Sequence, residues 1–163
     1  MEGFTTSDSS DGELSAAGKM DLSHLSLDTD SLQQNIETRV EKDRKAAENV
    51  DTLILCHNRI NFIPPIVCAF NNLKVLDISY NNVTKIPCQL EKLPLTSFIC
   101  KNASLENSAL PKSFGMSVKE LNLSGNNLTE FPLQVLDMNN LKYLYLGANK
   151  IESIPKDIPR ASK

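Results

Sequence analysis

Residues 118–132 read VKELNLSGNNLTEFP, and 23 residues after the first of these begins the stretch 141–155, LKYLYLGANKIESIP. Overlaid, the two share apolar residues at positions 1, 4, 6 and 11, Asn at position 9 and a closing apolar-Pro pair. Working outward, the same frame fits VDTLILCHNRINFIP from Val50 and LKVLDISYNNVTKIP from Leu73, and more loosely LTSFICKNASLENSALP from Leu95. The five starts, Val50, Leu73, Leu95, Val118 and Leu141, are 23, 22, 23 and 23 residues apart. Self-similarity at so constant a period means stacked supersecondary units, none of which can bury its apolar side alone.

Within each row the alternation at positions 3 to 7 is that of a short strand, whose successive side chains point to opposite faces. Positions 4 and 6, such as Leu76 with Ile78 or Leu121 with Leu123, face the core, and positions 3, 5 and 7 face away. Asn58, Asn81, Asn126 and Asn149 fall where the chain leaves the strand, and a buried amide there satisfies backbone groups that the turn leaves unpaired. The pairs Ile63-Pro64, Ile86-Pro87, Phe131-Pro132 and Ile154-Pro155 open the returning segment. There Val67/Phe70, Leu90/Leu93 and Val135/Met138, three apart, suit a short helical turn.

This pattern, LxxLxLxxNxLxxIP in four of five rows, resembles the leucine-rich repeat. The expected fold is an α/β leucine-rich repeat solenoid, with a curved parallel sheet on its concave face and irregular or short helical convex segments. The 22 to 23 residue rows with the Ile-Pro turn further resemble the intracellular leucine-rich repeat class of Ras-pathway scaffolds and related adaptors. The more specific part of that resemblance lies in LSHLSLDTDSLQQNIETRVEKDRKAAENVDTLILCHNRI and ICKNASLENSALPK.

Three places depart from the regular rows. The third has Ala103 at the Asn position and five residues rather than three from Leu105 to Leu110, so 105–114 is expected to be the least regular segment and a candidate recognition loop. Before the first row, Leu22, Leu25, Leu27, Asp30 and Leu32 match the row pattern with Asp for Asn, which predicts a cap strand. A helix is expected after it, capped by Ser31, with Leu32, Ile36 and Val40 on one face and a Glu41–Lys45 pair on the other. After Pro155 only KDIPRASK follows, which leaves the Leu144, Leu146, Ile151 edge to be covered by further repeats of a longer array or by another molecule. The domain reading is a disordered acidic Ser-rich tail over 1–20, a cap strand and helix over 21–49, and five repeats over 50–163 without a C-terminal cap.

Composition narrows the function. The chain carries 17 Lys and Arg against 20 Asp and Glu, a formal charge of -3, and the acidic excess sits before residue 50. No basic stripe offers itself to nucleic acid or an anionic membrane. The start lacks a basic, apolar signal segment and no run reaches membrane-spanning length, so a cytoplasmic or nuclear location is expected. Cys56, Cys68, Cys88 and Cys100 form no CxxC pair, and His57 with His24 make too few ligands for a metal prediction. The sequons at Asn82, Asn102, Asn122 and Asn127 read as by-products of the repeat. There is no GxxxxGK[ST], GxSxG or HExxH motif, and no enzyme activity, cofactor or small-molecule substrate is expected.

The remaining class is a scaffold that binds a protein partner on its concave face. The candidate contact residues are Ile54, Cys56, His57, Asp77, Ser79, Tyr80, Lys101, Asn122, Tyr143 and Tyr145, with the tyrosines preferred because they supply contact area at modest entropy cost. The resemblance to intracellular adaptors implies either the substrate-recognising part of a ubiquitin-ligase complex or a Ras-pathway-like signalling scaffold. The alternative of another class is a truncated fragment that binds nothing.

Overall fold

The structure, a computed structural model, describes residues 18–156. Six three-residue strands, β1 (Lys19–Asp21), β2 (Thr52–Ile54), β3 (Val75–Asp77), β4 (Ser97–Ile99), β5 (Glu120–Asn122) and β6 (Tyr143–Tyr145), form one parallel sheet in chain order. The register is uniform: Met20, Leu53, Leu76, Phe98, Leu121 and Leu144, all at position 4, lie side by side across it. Positions 4 and 6 of the inner rows are buried, Leu53, Leu55, Leu76, Ile78, Phe98, Cys100, Leu121 and Leu123 among them. Each contributes roughly 1.5–3 kcal/mol if fully removed from water.

After Pro64, Pro87 and Pro132 the chain returns through a 3₁₀ turn, at Pro65–Ala69, Cys88–Lys92 and Leu133–Asp137; the third row has a shorter one at Asn107–Ala109, ahead of its Pro111. The i, i+3 apolar pairs Val67/Phe70, Leu90/Leu93 and Val135/Met138 are all buried, which is why three-residue spacing appears there instead of the spacing of an α-helix.

The N-terminal row departs from expectation by five residues. Its strand is Lys19–Asp21, with Met20 and Leu22 at positions 4 and 6, both fully buried. Leu25 and Leu27 instead occupy the turn, where their N–H groups donate to Asn58 Oδ1 at 3.1 and 3.0 Å. LSHLSL imitates the strand spacing, but only the Met20–Leu22 phase brings a strand into register with β2. The expected tail boundary at residue 20 therefore cuts through β1, and residues 1–17 lie outside the described ones.

Helix α1 spans Thr29–Lys42 and is capped by Asp28 rather than Ser31. Ser31 is the third helical residue: its N–H donates to Asp28 Oδ1 at 2.8 Å, and its hydroxyl accepts the Asp28 N–H at 2.9 Å, a reciprocal capping box. Asp43 ends α1 and caps α2 (Arg44–Glu48), so Glu41 and Lys45 lie on separate helices and not on one continuous face. Leu32 and Ile36 are buried and Val40 packs beside them. α1 lies against α2 and the Pro65–Ala69 turn, on the side of the sheet away from positions 3, 5 and 7.

Candidate functional site

The turn that follows each strand decides what the free face presents. Position 8 is left-handed in every row: His24 (φ 58°), His57 (56°), Tyr80 (57°), Asn102 (49°), Gly125 (72°) and Ala148 (53°). Only one of the six is glycine, although such backbone disfavours other residues by roughly 1–2 kcal/mol. The reversal is held from within by position 9. Asn126 Oδ1 accepts the Ala103 and Leu105 N–H groups at 3.0 Å each, and its Nδ2 donates to Cys100 O at 2.7 Å and Leu123 O at 2.8 Å. Asn58, Asn81 and Asn149 make the corresponding bonds, each reaching back to the row before its own.

The third row lacks that amide, and the backbone substitutes for it. Val83 N–H, the counterpart of Leu105 N–H, donates to Ala103 O at 2.9 Å. The inserted segment is not loose either: Ala109 and Phe114 are buried, Phe114 packs on Phe98 with ring centroids 5.7 Å apart, and Ile86 N–H donates to Ala109 O. Asn107 adds bonds of its own to the next row, accepting from Thr129 N–H at 2.9 Å and donating to Glu130 O at 2.9 Å. The expected least regular segment is thus cross-linked on both sides, and its apolar residues serve the core.

The residues that sequence reasoning placed on the free face fall into three groups. Tyr80, Tyr143 and Tyr145 are exposed (45, 57 and 45 %) and His57 is exposed beside them. Ile54, Cys56, Asp77, Lys101 and Asn122 are half-buried on that face. Ser79 is corrected: it is 1 % exposed, and its hydroxyl accepts the Lys101 N–H at 3.0 Å, so it belongs to the fold's internal hydrogen bonding and not to an accessible surface. Asn149, unlike the other three amides, is only half-buried.

Two arrangements were hidden in the sequence. The rings of His24, His57 and Tyr80 stack, with centroids 4.4 and 4.2 Å apart and planes within 11° and 7° of parallel. His24 was not placed beside His57 because the shifted frame of the first row took it off position 8; aligning Met20 with Leu53 puts it there. Behind the rings, at position 5, Asp21 and Asp77 each accept a hydrogen bond from the serine N–H two residues on, Ser23 and Ser79, both at 3.0 Å. Burial opposes ionisation of Asp21, but the Ser23 hydroxyl and N–H together with Lys19 prevail and hold its carboxyl below the usual range. Ile54 lies between the two carboxylates, and Cys56, two residues on, is within reach of both. Burial, a hydrogen bond to Asp77 and the negative charge of both push its thiol up to about 12, so it is a neutral donor and not a nucleophile. Among the described residues, no three His, Cys, Asp or Glu side chains are grouped so as to hold a metal ion, and no helix is long and apolar enough to cross a membrane.

Comparison with known proteins agrees with this architecture. A family model, leucine-rich repeats in two copies, matches residues 48–95 and 117–159, and passes over the irregular third row between them. The chain is similar to leucine-rich repeat-containing protein 58 of Xenopus laevis, 39 % identical over 125 residues, covering 76 % of this chain and 34 % of that protein. The human protein of the same name is 38 % identical over 132 residues, covering 75 and 36 %. The chain thus spans about a third of the length of these relatives. A solved leucine-rich repeat protein of Leptospira interrogans superposes with a TM-score of 0.60 over 95 % of this chain and 49 % of that one, at 22 % identity, a likeness of fold alone. Repeat spacing, parallel sheet, asparagine ladder and family match converge: the chain belongs to the leucine-rich repeat family.

Proposed function

We propose that the chain is a non-enzymatic protein-recognition scaffold that takes its partner on the concave face of the sheet, through Tyr80, Tyr143 and Tyr145. The observation that carries this reading is that positions 3, 5 and 7 of six consecutive strands line one face, while α1, α2 and the 3₁₀ turns pack elsewhere. A solenoid of this kind offers an extended surface on rigid strands, and exposed aromatics are favoured anchors on such surfaces. Resemblance to intracellular adaptors supports a finer version, in which the chain is the cytoplasmic substrate-recognising part of a ubiquitin-ligase complex. Affinity capture from cell lysate with the wild-type chain beside a Tyr143→Ala/Tyr145→Ala variant tests both levels. A protein held by the first and lost with the second, with both chains equally folded by circular dichroism, is the expected result. Equal capture by both removes these tyrosines from the site, and capture without any ubiquitin-ligase component removes the finer version.

A further inference from the structure

The free face is chemically divided along its length. Its N-terminal half has the His24–His57–Tyr80 stack on the rim and Asp21 and Asp77 behind it, on either side of the apolar Ile54. Since β1, β2 and β3 are adjacent, the two carboxylates are two strand spacings apart, about 10 Å. A long cationic side chain laid over Ile54 would span that gap. Both carboxylates are oriented by the Ser23 and Ser79 N–H groups, so their geometry is set before anything binds. Lys19 stands two residues before Asp21 on its own strand and Lys101 in the row beyond Asp77, so positive charge already flanks the two carboxylates, which disfavours a polybasic run. The C-terminal half ends instead in Tyr143 and Tyr145, with no acid at position 3, 5 or 7 of that row. From β2 to β6 is four strand spacings, about 19 Å, the span of roughly six residues of extended chain.

From this division we infer that the partner segment is an extended peptide crossing the strands, with a single arginine seated between Asp21 and Asp77 and an apolar or aromatic residue about six positions away against Tyr143 and Tyr145. The inference rests on the concave-face reading above and specifies the chemistry of what that face takes. Arginine fits better than lysine because its planar fork of five donors can reach carboxylates on two sides at once, whereas an ammonium is a compact point charge.

The test is panning of a random twelve-residue phage-displayed peptide library against the full chain, followed by affinity measurement of the enriched peptides by fluorescence anisotropy. The expected result is enrichment of one Arg spaced five to seven residues from Phe, Tyr, Leu or Trp. Affinity should fall at least tenfold on Asp21→Asn/Asp77→Asn, changes that keep the oxygen accepting from Ser23 or Ser79, as Asn122 already does for Ser124 at 3.1 Å. Replacing the peptide Arg by Gln should cause a similar loss with the wild type and little with the variant. Peptides that lose affinity on Tyr143→Ala/Tyr145→Ala but lack a basic residue, or ignore the Asp changes, would overturn this inference and leave the concave-face reading standing. Peptides insensitive to both double variants, or no enrichment by the folded chain, would overturn both.

Discussion

Leu22 and Leu146 hold the same position 6 at opposite ends of the sheet, yet Leu22 is fully buried and Leu146 only half-buried. The neighbouring position 4 repeats the contrast, with Met20 buried and Leu144 half-buried. At the first end α1 sends Leu32 and Ile36 into the core, and Asn58 of the following row closes the turn of β1. At the other, β6 has a neighbour on one side only among the described residues, and Ile154 beyond it is 65 % exposed. An identical letter in an identical frame therefore carries a different energy, because inward direction becomes burial only when a second layer arrives.

The sharpest way to break this contrast is to put a charge at position 6. Leu22→Asp and Leu123→Asp should each cost about 4 kcal/mol or more and abolish the cooperative urea transition, whereas Leu146→Asp, whose carboxylate can reach water, should keep it with a loss of about 1–2 kcal/mol. Equal losses at Leu22 and Leu146 would show that the two ends are equally closed. The ladder offers a second comparison. Asn126→Ala strands buried backbone groups in two rows and should cost about 3 kcal/mol in urea denaturation, and Asn149→Ala, half-exposed, about 1 kcal/mol.

A smaller effect isolates position 8. At Gly125 an added Cβ would come within 2.1 Å of Asn102 Oδ1, on a backbone already at φ +72°. Gly125→Ala should lower stability by about 1–2 kcal/mol, and part of that loss should vanish when Asn102→Ala is added, because Ala148 shows that the left-handed turn itself admits alanine. No relief in the double variant would place the whole effect in the backbone.

The smallest expected effect is acid sensitivity at the capped end. Hydrogen bonds from the Ser31 N–H and hydroxyl hold the Asp28 carboxyl below its model-peptide value of 3.8. A group whose folded-state pKa is depressed lends stability above the unfolded value and loses it as pH falls through the folded one. α1 should therefore gain amide exchange below about pH 4 ahead of the inner rows, and Asp28→Asn, which still caps but does not titrate, should abolish that pH dependence. An unchanged profile in Asp28→Asn would assign the acid response to another group.

The inner rows were legible in the sequence because their signal is periodic: Leu53, Leu76 and Leu121 are inward by spacing alone, and the Ile-Pro pairs mark each return. The first row was misread because LSHLSL offers the leucine spacing in a stretch where strand pairing selects Met20 and Leu22, and apolarity alone does not fix register. Ser31, expected as the cap, is the third helical residue, and Asp28 caps the helix within the same capping box. The compensation at Ala103 was invisible for a different reason: a main-chain carbonyl replaces a side chain, and the main chain has no letter. Of the candidate surface, the exposure of Tyr143 and Tyr145 could be read from alternation, but that of Tyr80 and the ring stack could not, since both follow from the left-handed turn placing position 8 of successive rows in line.

The backward reach of each ladder asparagine gives the array a direction in time. Asn58 completes the turn after β1, Asn81 the turn after β2 and Asn126 the turn after β4, so no turn in that series is finished until the next 21 to 33 residues have been made. On a ribosome, which delivers the N-terminal cap first, each newly emerged row would seal its predecessor and remain unsealed itself. The growing tip would thus always be the weakest point of the nascent chain, the place where a chaperone has most to protect.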